Sequence, residues 1–353
     1  MTHPITVLAR AEIRALKPYS SARMEATVQT IGLDANENPF VSDSKKLFNR
    51  YPDPQPEDLV MNFSKRYHIN PEQLLITRGS DEAIDLLLRV FCQAKQEAII
   101  TCPPTYSMYE ISAAIQGAFH IEVPLVKEKD FALDSTRILE KWQPAVKIIF
   151  LCSPNNPTGN LLKKSAILEL CEKLQDHCLI VVDEAYIEFS LQKSLVEYLN
   201  KYPNLIILRT LSKAYGLAGV RCGLVLAHAD IIALLKKVIA PYPIPTPVID
   251  TIREYLTSFY QVKMIEQVQI LNQEREELKK FLSSLPKIKK IWPSSTNYLL
   301  LEVDDAKAWV AYCLHHGIAI RDRSNLLGLE NCIRISIGTP AENAQLKKVL
   351  SHV

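Results

Sequence analysis

Between residues 74 and 208 the chain alternates short apolar runs with stretches of helical character, and this alternation constrains the fold more than any other feature. Leu74–Thr77, Ala98–Thr101, Phe119–Val123, Val146–Cys152, Leu179–Val182 and Leu205–Leu208 are rich in β-branched and aliphatic residues. They read as strands buried on both faces. Helices are expected over Glu57–Tyr67, Ala83–Phe91 and Ser165–Gln175, with another after Pro104. Strands alternating with helices build a mostly parallel sheet covered on both sides. Nearly every run ends on a polar motif: Gly79-Ser80-Asp81-Glu82, Cys102-Pro103-Pro104-Thr105-Tyr106, Ser153–Gly159, Asp183-Glu184-Ala185-Tyr186 and Thr210-Leu211-Ser212-Lys213. Sheets of this kind bind ligands beyond the carboxyl ends of their strands, where these motifs fall.

The flanks follow different rules. Residues 1–37 are expected to form an arm, with one amphipathic helix over Ile5–Leu16, packing on the small domain and on a partner subunit. The proline-rich stretch Pro241–Pro247 marks the hinge, giving a large domain over 38–243 and a small α+β domain over 244–353. In the latter, Val248–Leu282 reads as one long helix or as one broken near Thr257. A strand (297–303), a helix (305–316), a strand pair (318–321 and 332–337) and a helix capped by Thr339 follow. At 353 residues the chain has room for about two domains.

Bulk properties exclude several classes. Net charge is +2, with both signs interspersed, so no basic face suited to nucleic acid is expected. No apolar run reaches membrane-spanning length, and residues 1–13 lack a signal-peptide core. The eight cysteines form no CxxC pair and read as buried thiols of a reducing, cytoplasmic compartment. No metal site is expected, because His315 and His316 lack partners at ligand spacing.

The polar motifs carry chemistry. An ammonium buried without a partner is costly. A lysine amine condensed with an aldehyde avoids that cost, which is the chemistry of pyridoxal phosphate. Lys213 is the candidate, and Thr210, Ser212 and Arg221 are suitable donors for the phosphate. Ser80 opens a helix after Gly79, a position that suits a plain N-cap or an anion site made of the free backbone N–H groups at the helix start. Asp183 can be a turn cap or the carboxylate that keeps a pyridine nitrogen protonated. Tyr186 and Asn156 can bond the ring's 3′ oxygen, and Tyr106 either fills the core or stacks on the ring.

SPNNPTG, DEAY and TLSK with Arg221 downstream resemble the fold-type I aminotransferases. LDANENP, RYPDPQP, GSDEAI, CPPTYSMY, VVDEAYIEF, RTLSKAYGLAGVRCG and CIRISIGT together resemble the histidinol-phosphate aminotransferases over essentially the whole chain. The resemblance implies a pyridoxal-phosphate-dependent transferase fold of type I. It implies that Lys213 holds the cofactor, Asp183 pairs with its ring nitrogen, and Tyr186 and Asn156 bond its 3′ oxygen. Tyr106 would stack on the ring, and Ser80, Asp81, Thr210, Ser212 and Arg221 would hold the phosphate. Tyr51 would reach that phosphate from the other subunit of a homodimer. Tyr19, Arg321 and Arg334 would bind the substrate's anionic end. The implied reaction moves the amino group of histidinol phosphate to 2-oxoglutarate, yielding imidazole-acetol phosphate and glutamate in histidine biosynthesis.

Threonine-phosphate decarboxylases and aromatic aminotransferases are alternatives on the same scaffold. A ligand-sensing regulator would need a DNA-binding domain, for which the arm before Leu33 is too short. A nicotinamide enzyme is disfavoured because the chain contains no GxGxxG.

Overall fold

The computed structural model describes residues 3–17, 33, 35–40 and 48–352. Strands β1 (Leu74–Thr77), β2 (Ala98–Thr101), β3 (Phe119–Glu122), β4 (Val146–Cys152), β5 (Leu179–Asp183), β6 (Leu205–Thr210) and β7 (Gly223–Leu226) form the larger sheet. Its order is β1-β7-β6-β5-β4-β2-β3. The pairs among β2, β3, β4, β5 and β6 are parallel, while β7 runs antiparallel to both β1 and β6. All strands but β7 therefore end at one edge, and β7 starts there. The parallel α/β sheet expected from the alternation is present. Strand β7 was not foreseen.

Both faces of this sheet are buried, as the continuous apolar runs require, except at the edge strand β3. That strand was expected to be buried but leaves Phe119 and Glu122 exposed, because it has a neighbour on one side alone. Leu74 and Ile76 pack into one core cluster, and Leu75 between them packs into the other. Ile180 and Val182 alternate with Leu179 and Val181 in the same way. Helices Glu57–Tyr67 and Lys164–Lys173 cover the first face. Helices Ser80–Phe91, Met108–Gln116 and Ala229–Lys236 cover the second.

The arm differs from expectation. In place of one helix, a 3-10 turn (Pro4–Leu8) and a single helical turn (Ala11–Ala15) are joined by Ala9, which is extended, and Arg10, which is non-helical. Arg10 donates through its backbone N–H to the Val90 carbonyl at 3.0 Å and through Nε to Gln93 at 2.8 Å. These tertiary bonds outweigh the continuation of a short helix. Ile5, Leu8 and Ala9 pack against the large domain, beside Val90 and Leu235, rather than on the small domain.

The second sheet, of β8 (Ile288–Ile291), β9 (Tyr298–Val303), β10 (Arg321–Asp322) and β11 (Cys332–Ser336), is antiparallel, in the order β10-β11-β9-β8. Two helices, Thr246–Tyr255 and Ser258–Leu282, lead into it, and the break falls at Leu256 and Thr257. Thr339 caps the last helix in a capping box with Glu342. Leu299, Leu301 and Val303 bury one side of β9 in the small domain's own core, while Tyr298 and Leu300 join the core of the large domain. The two sheets are thus packed together through one strand. No helix among the described residues is long and apolar enough to cross a membrane.

Candidate active site

The carboxyl edge of the large sheet holds a cavity of about 210 Å³. The segments that follow β1, β2, β4, β5 and β6 all contribute to it. After β1 the chain turns at Gly79 (φ +80°) into helix Ser80–Phe91, whose first backbone N–H groups have no intrahelical partner. Such a helix start attracts anions. Gly223 makes this arrangement fit. A Cβ there would lie 2.3 Å from the Gly79 carbonyl carbon and 2.5 Å from the Ser80 nitrogen. Only a glycine lets β7 pass so close to the turn.

Thr210, Ser212 and Arg221 gather beside that helix start and line the cavity with Ser80 and Asp81. The Thr210 hydroxyl donates to Ser212 Oγ at 3.0 Å and accepts from the Ser212 N–H at 3.1 Å. Arg221 reaches Asp81 at 3.3 Å, and the same carboxylate accepts from the Tyr106 hydroxyl at 2.9 Å. The Asp81 side chain therefore orients an arginine and a tyrosine, while the helix start offers the N–H groups for an anion.

Asp183 ends β5 and is 3 % exposed. It accepts from the Tyr109 hydroxyl at 2.9 Å and from the Ala185 N–H at 3.0 Å. Burial still pushes its carboxyl up from the usual range, against those two bonds and the Lys213 charge. A cationic ring N–H would reverse that direction. The motif reading missed Tyr109. It sits three residues past Tyr106, fully buried on the helix Met108–Gln116, with its ring stacked on Phe150 at 4.8 Å. An aromatic one helical turn after the cavity tyrosine, on the face turned to the sheet, was the available signal.

Lys213 lies just past β6 and lines the same cavity, its Nζ 5.4 Å from the centre of the Tyr186 ring. Its side chain opens onto the cavity, yet enough protein surrounds the nitrogen that desolvation lowers its pKa. Arg334 adds to the lowering, while Asp183 and Asp81 oppose it. Burial pushes the Tyr186 and Tyr106 phenols up, so both remain protonated donors near neutral pH. Asn156 projects from the loop after β4. Its carbonyl accepts from Arg334 Nη1 at 2.6 Å, which leaves its amide N–H groups to donate into the cavity. Asn155 holds that loop by donating to the Pro104 carbonyl and the Thr158 hydroxyl at 2.8 and 2.6 Å.

Glu184, adjacent to Asp183, turns the other way. It accepts from Ser194, the Leu195 N–H and Arg209, and Arg209 also pairs with Glu188. This buried ion cluster is structural and ties the end of β5 to the end of β6.

Not every expected residue meets here. Tyr51 does not line the cavity of its own chain; it is half exposed and stacks on Tyr242 with ring centres 4.4 Å apart. Tyr19 lies outside the described residues. Arg321 is exposed on β10, opposite Arg334 in register. All eight cysteines are buried free thiols.

A nucleophilic lysine, a carboxylate for a ring cation, and a phosphate cradle at one sheet edge suit a phosphorylated aldehyde bound through the lysine. The family model for class I and II aminotransferases, a class with such chemistry, matches residues 19–351. Histidinol-phosphate aminotransferase 1 of Haemophilus influenzae is 44% identical over 356 aligned residues, covering 99% of this chain and 99% of that protein. The chain belongs to the histidinol-phosphate aminotransferases of that class. The crystal structure of histidinol-phosphate aminotransferase from Sinorhizobium meliloti in complex with pyridoxal-5′-phosphate superposes with a TM-score of 0.79. It shares 25% identity and covers 86% of this chain and 84% of its own. L-threonine-O-3-phosphate decarboxylase of Porphyromonas gingivalis shares the fold alone, with a TM-score of 0.72, 24% identity and 86% and 90% coverage.

Proposed function

We propose that the protein transfers the amino group of L-histidinol phosphate to 2-oxoglutarate, giving imidazole-acetol phosphate and L-glutamate in histidine biosynthesis. The observation that carries this reading is the arrangement around Asn156: one residue links the Lys213–Asp183 cavity to Arg334 of the small domain. Acid–base chemistry at the carbon that carries the amine thus stands beside a receptor for an anion.

The donor set fits pyridoxal phosphate. Lys213 would hold it through the amine, Asp183 its ring nitrogen, Tyr186 and Asn156 its 3′ oxygen, and Tyr106 its ring face. The start of helix Ser80–Phe91, with Thr210, Ser212 and Arg221, would hold its phosphate. When bound, this cofactor supplies the electron sink for charge that develops at the substrate's Cα. Lys213, with its pKa lowered by burial and by Arg334, would take the proton from the substrate's Cα as a general base and give it, as an acid, to the cofactor's former aldehyde carbon rather than back to Cα. Arg334, Arg321 and Tyr19 bind the anionic end of the substrate. Tyr51 completes the phosphate site of the partner in a homodimer, which agrees with its exposure and its position away from its own cavity. The large domain spans 38–243, the small domain 244–353, and the enzyme works in the cytoplasm.

The test is direct. Purified holoenzyme with histidinol phosphate and 2-oxoglutarate should produce glutamate with ping-pong kinetics, and Lys213→Ala should abolish steady-state turnover. Histidinol phosphate has no carboxylate to lose, so the decarboxylase reading is tested with L-threonine O-3-phosphate. Carbon dioxide from that substrate, with no glutamate from the histidinol phosphate mixture, would assign the decarboxylase reaction instead. A Lys213→Ala variant that turns over like the parent would reject the site.

A further inference from the structure

A third arginine joins the two expected at the anion end of the pocket. Arg321 and Arg334 are direct partners in the antiparallel pair of β10 and β11. Opposite residues of such a pair project to the same side. Arg323 lies two residues beyond Arg321, and its N–H still bonds the Cys332 carbonyl at 2.8 Å, so it continues on that side. Arg334 donates to Asn156, which makes this the side facing the cavity. Asp322, between the two β10 arginines, alternates to the opposite side and accepts from the Ser324 N–H at 2.8 Å.

Among the described residues the guanidinium groups of Arg321, Arg323 and Arg334 have no counter-charge in ion-pair contact, and the Nε atoms of Arg323 and Arg334 are buried without an acceptor. Burial and its two arginine neighbours lower Arg323 to about 10, opposed by the Tyr298 and Tyr186 phenols. Buried donors without acceptors, on cations crowded together, are costly unless a ligand supplies the missing oxygens.

We propose that Arg323 is a further specificity-determining residue, a third guanidinium that selects a phosphomonoester dianion over a carboxylate at the anion end of the substrate pocket. The proposal rests on the substrate reading above. A carboxylate offers one charge and two oxygens, which a single planar guanidinium satisfies. It would leave the remaining cations crowded and unpaired. A phosphomonoester brings nearly two charges and three terminal oxygens, enough for all three groups. The same arrangement favours one donor and disfavours the other, as specificity requires.

The two half-reactions, followed separately in single turnover through the cofactor's spectrum, test this on the wild-type holoenzyme, Arg323→Gln and Arg323→Lys. In Arg323→Gln the second-order constant for histidinol phosphate should fall about ten- to a hundredfold, mainly through weaker binding. The glutamate half-reaction should lose far less, so the preference for the phosphorylated donor falls at least about tenfold. Arg323→Lys should recover part of it. Inorganic phosphate should raise the melting temperature of the wild-type holoenzyme more than that of Arg323→Gln. An equal loss in both half-reactions, or an unchanged preference, overturns the proposal. A wild-type enzyme inert toward histidinol phosphate sinks the substrate reading instead, and the phosphate-induced melting shift then still reports on Arg323.

Discussion

Asp183 occupies a position that a structure without function would not retain. Its carboxylate is buried, holds only two hydrogen bonds and has its pKa raised by desolvation. A carboxyl whose folded pKa lies above its unfolded value adds stability below the unfolded pKa and loses it as pH rises through the folded one. In protein stripped of cofactor, the ionised Asp183 should therefore lower stability at neutral pH. Asp183→Asn keeps the shape and can still accept from Ala185. The stripped variant should melt above the stripped parent at pH 7, and the gap should close as pH falls through the carboxylate range. With cofactor, the same variant should transaminate orders of magnitude more slowly, because the developing negative charge has lost its support. A stripped variant that melts below the parent at pH 7 would mean that the Tyr109 and Ala185 bonds outweigh desolvation.

The helix Ser80–Phe91 and strand β7 form a single unit at the scale of elements. Its glycine contact sets how near the helix start comes to Thr210 and Arg221. Gly223→Ala puts a methyl group into backbone atoms of Gly79 and Ser80, which cannot swing aside as a flexible side chain does. The expected cost is about 1–3 kcal/mol of stability, as for other overpacked sites, measured by denaturant unfolding. Because the displaced atoms belong to the proposed phosphate cradle, cofactor retention through dialysis should fall as well. A variant with parental stability and cofactor retention would show that the helix start can move without consequence.

For the whole molecule, the two sheets meet where chemistry needs them to meet. Tyr298 of β9 donates its hydroxyl to the Asn155 carbonyl at 2.6 Å, and the Ser295 N–H donates to the Gly159 carbonyl at 2.7 Å. Both bonds hold the loop that carries Asn156, so the small domain positions a residue of the large domain's cavity. Tyr51 also belongs to the proposed site, yet it does not line the cavity of its own chain. Mixing Tyr51→Ala with Lys213→Ala subunits and allowing exchange should restore up to one intact site per mixed dimer. The return of glutamate production measures this, and no recovery is expected if Tyr51 serves its own chain.

Local chemistry made the strand and motif positions readable in the linear chain. Apolar runs set β1, β2 and β4 to the residue, because burial on both faces leaves an unbroken hydrophobic signature. The spacing of Asn156, Asp183, Tyr186, Lys213 and Arg221 carried the family, since each ends a strand or opens a turn that sequence marks with Pro, Gly or Ser. Whether Tyr109 is a core ring or a support for Asp183 could not be read there, because burial and a hydrogen bond across 74 residues are tertiary facts. The same holds for Arg323, whose side depends on register with Arg334, and for Gly223, whose need is a neighbour 144 positions away. The arm followed suit: Arg10 found partners on helix Ser80–Phe91, and that contact overruled the helical pattern of its own segment.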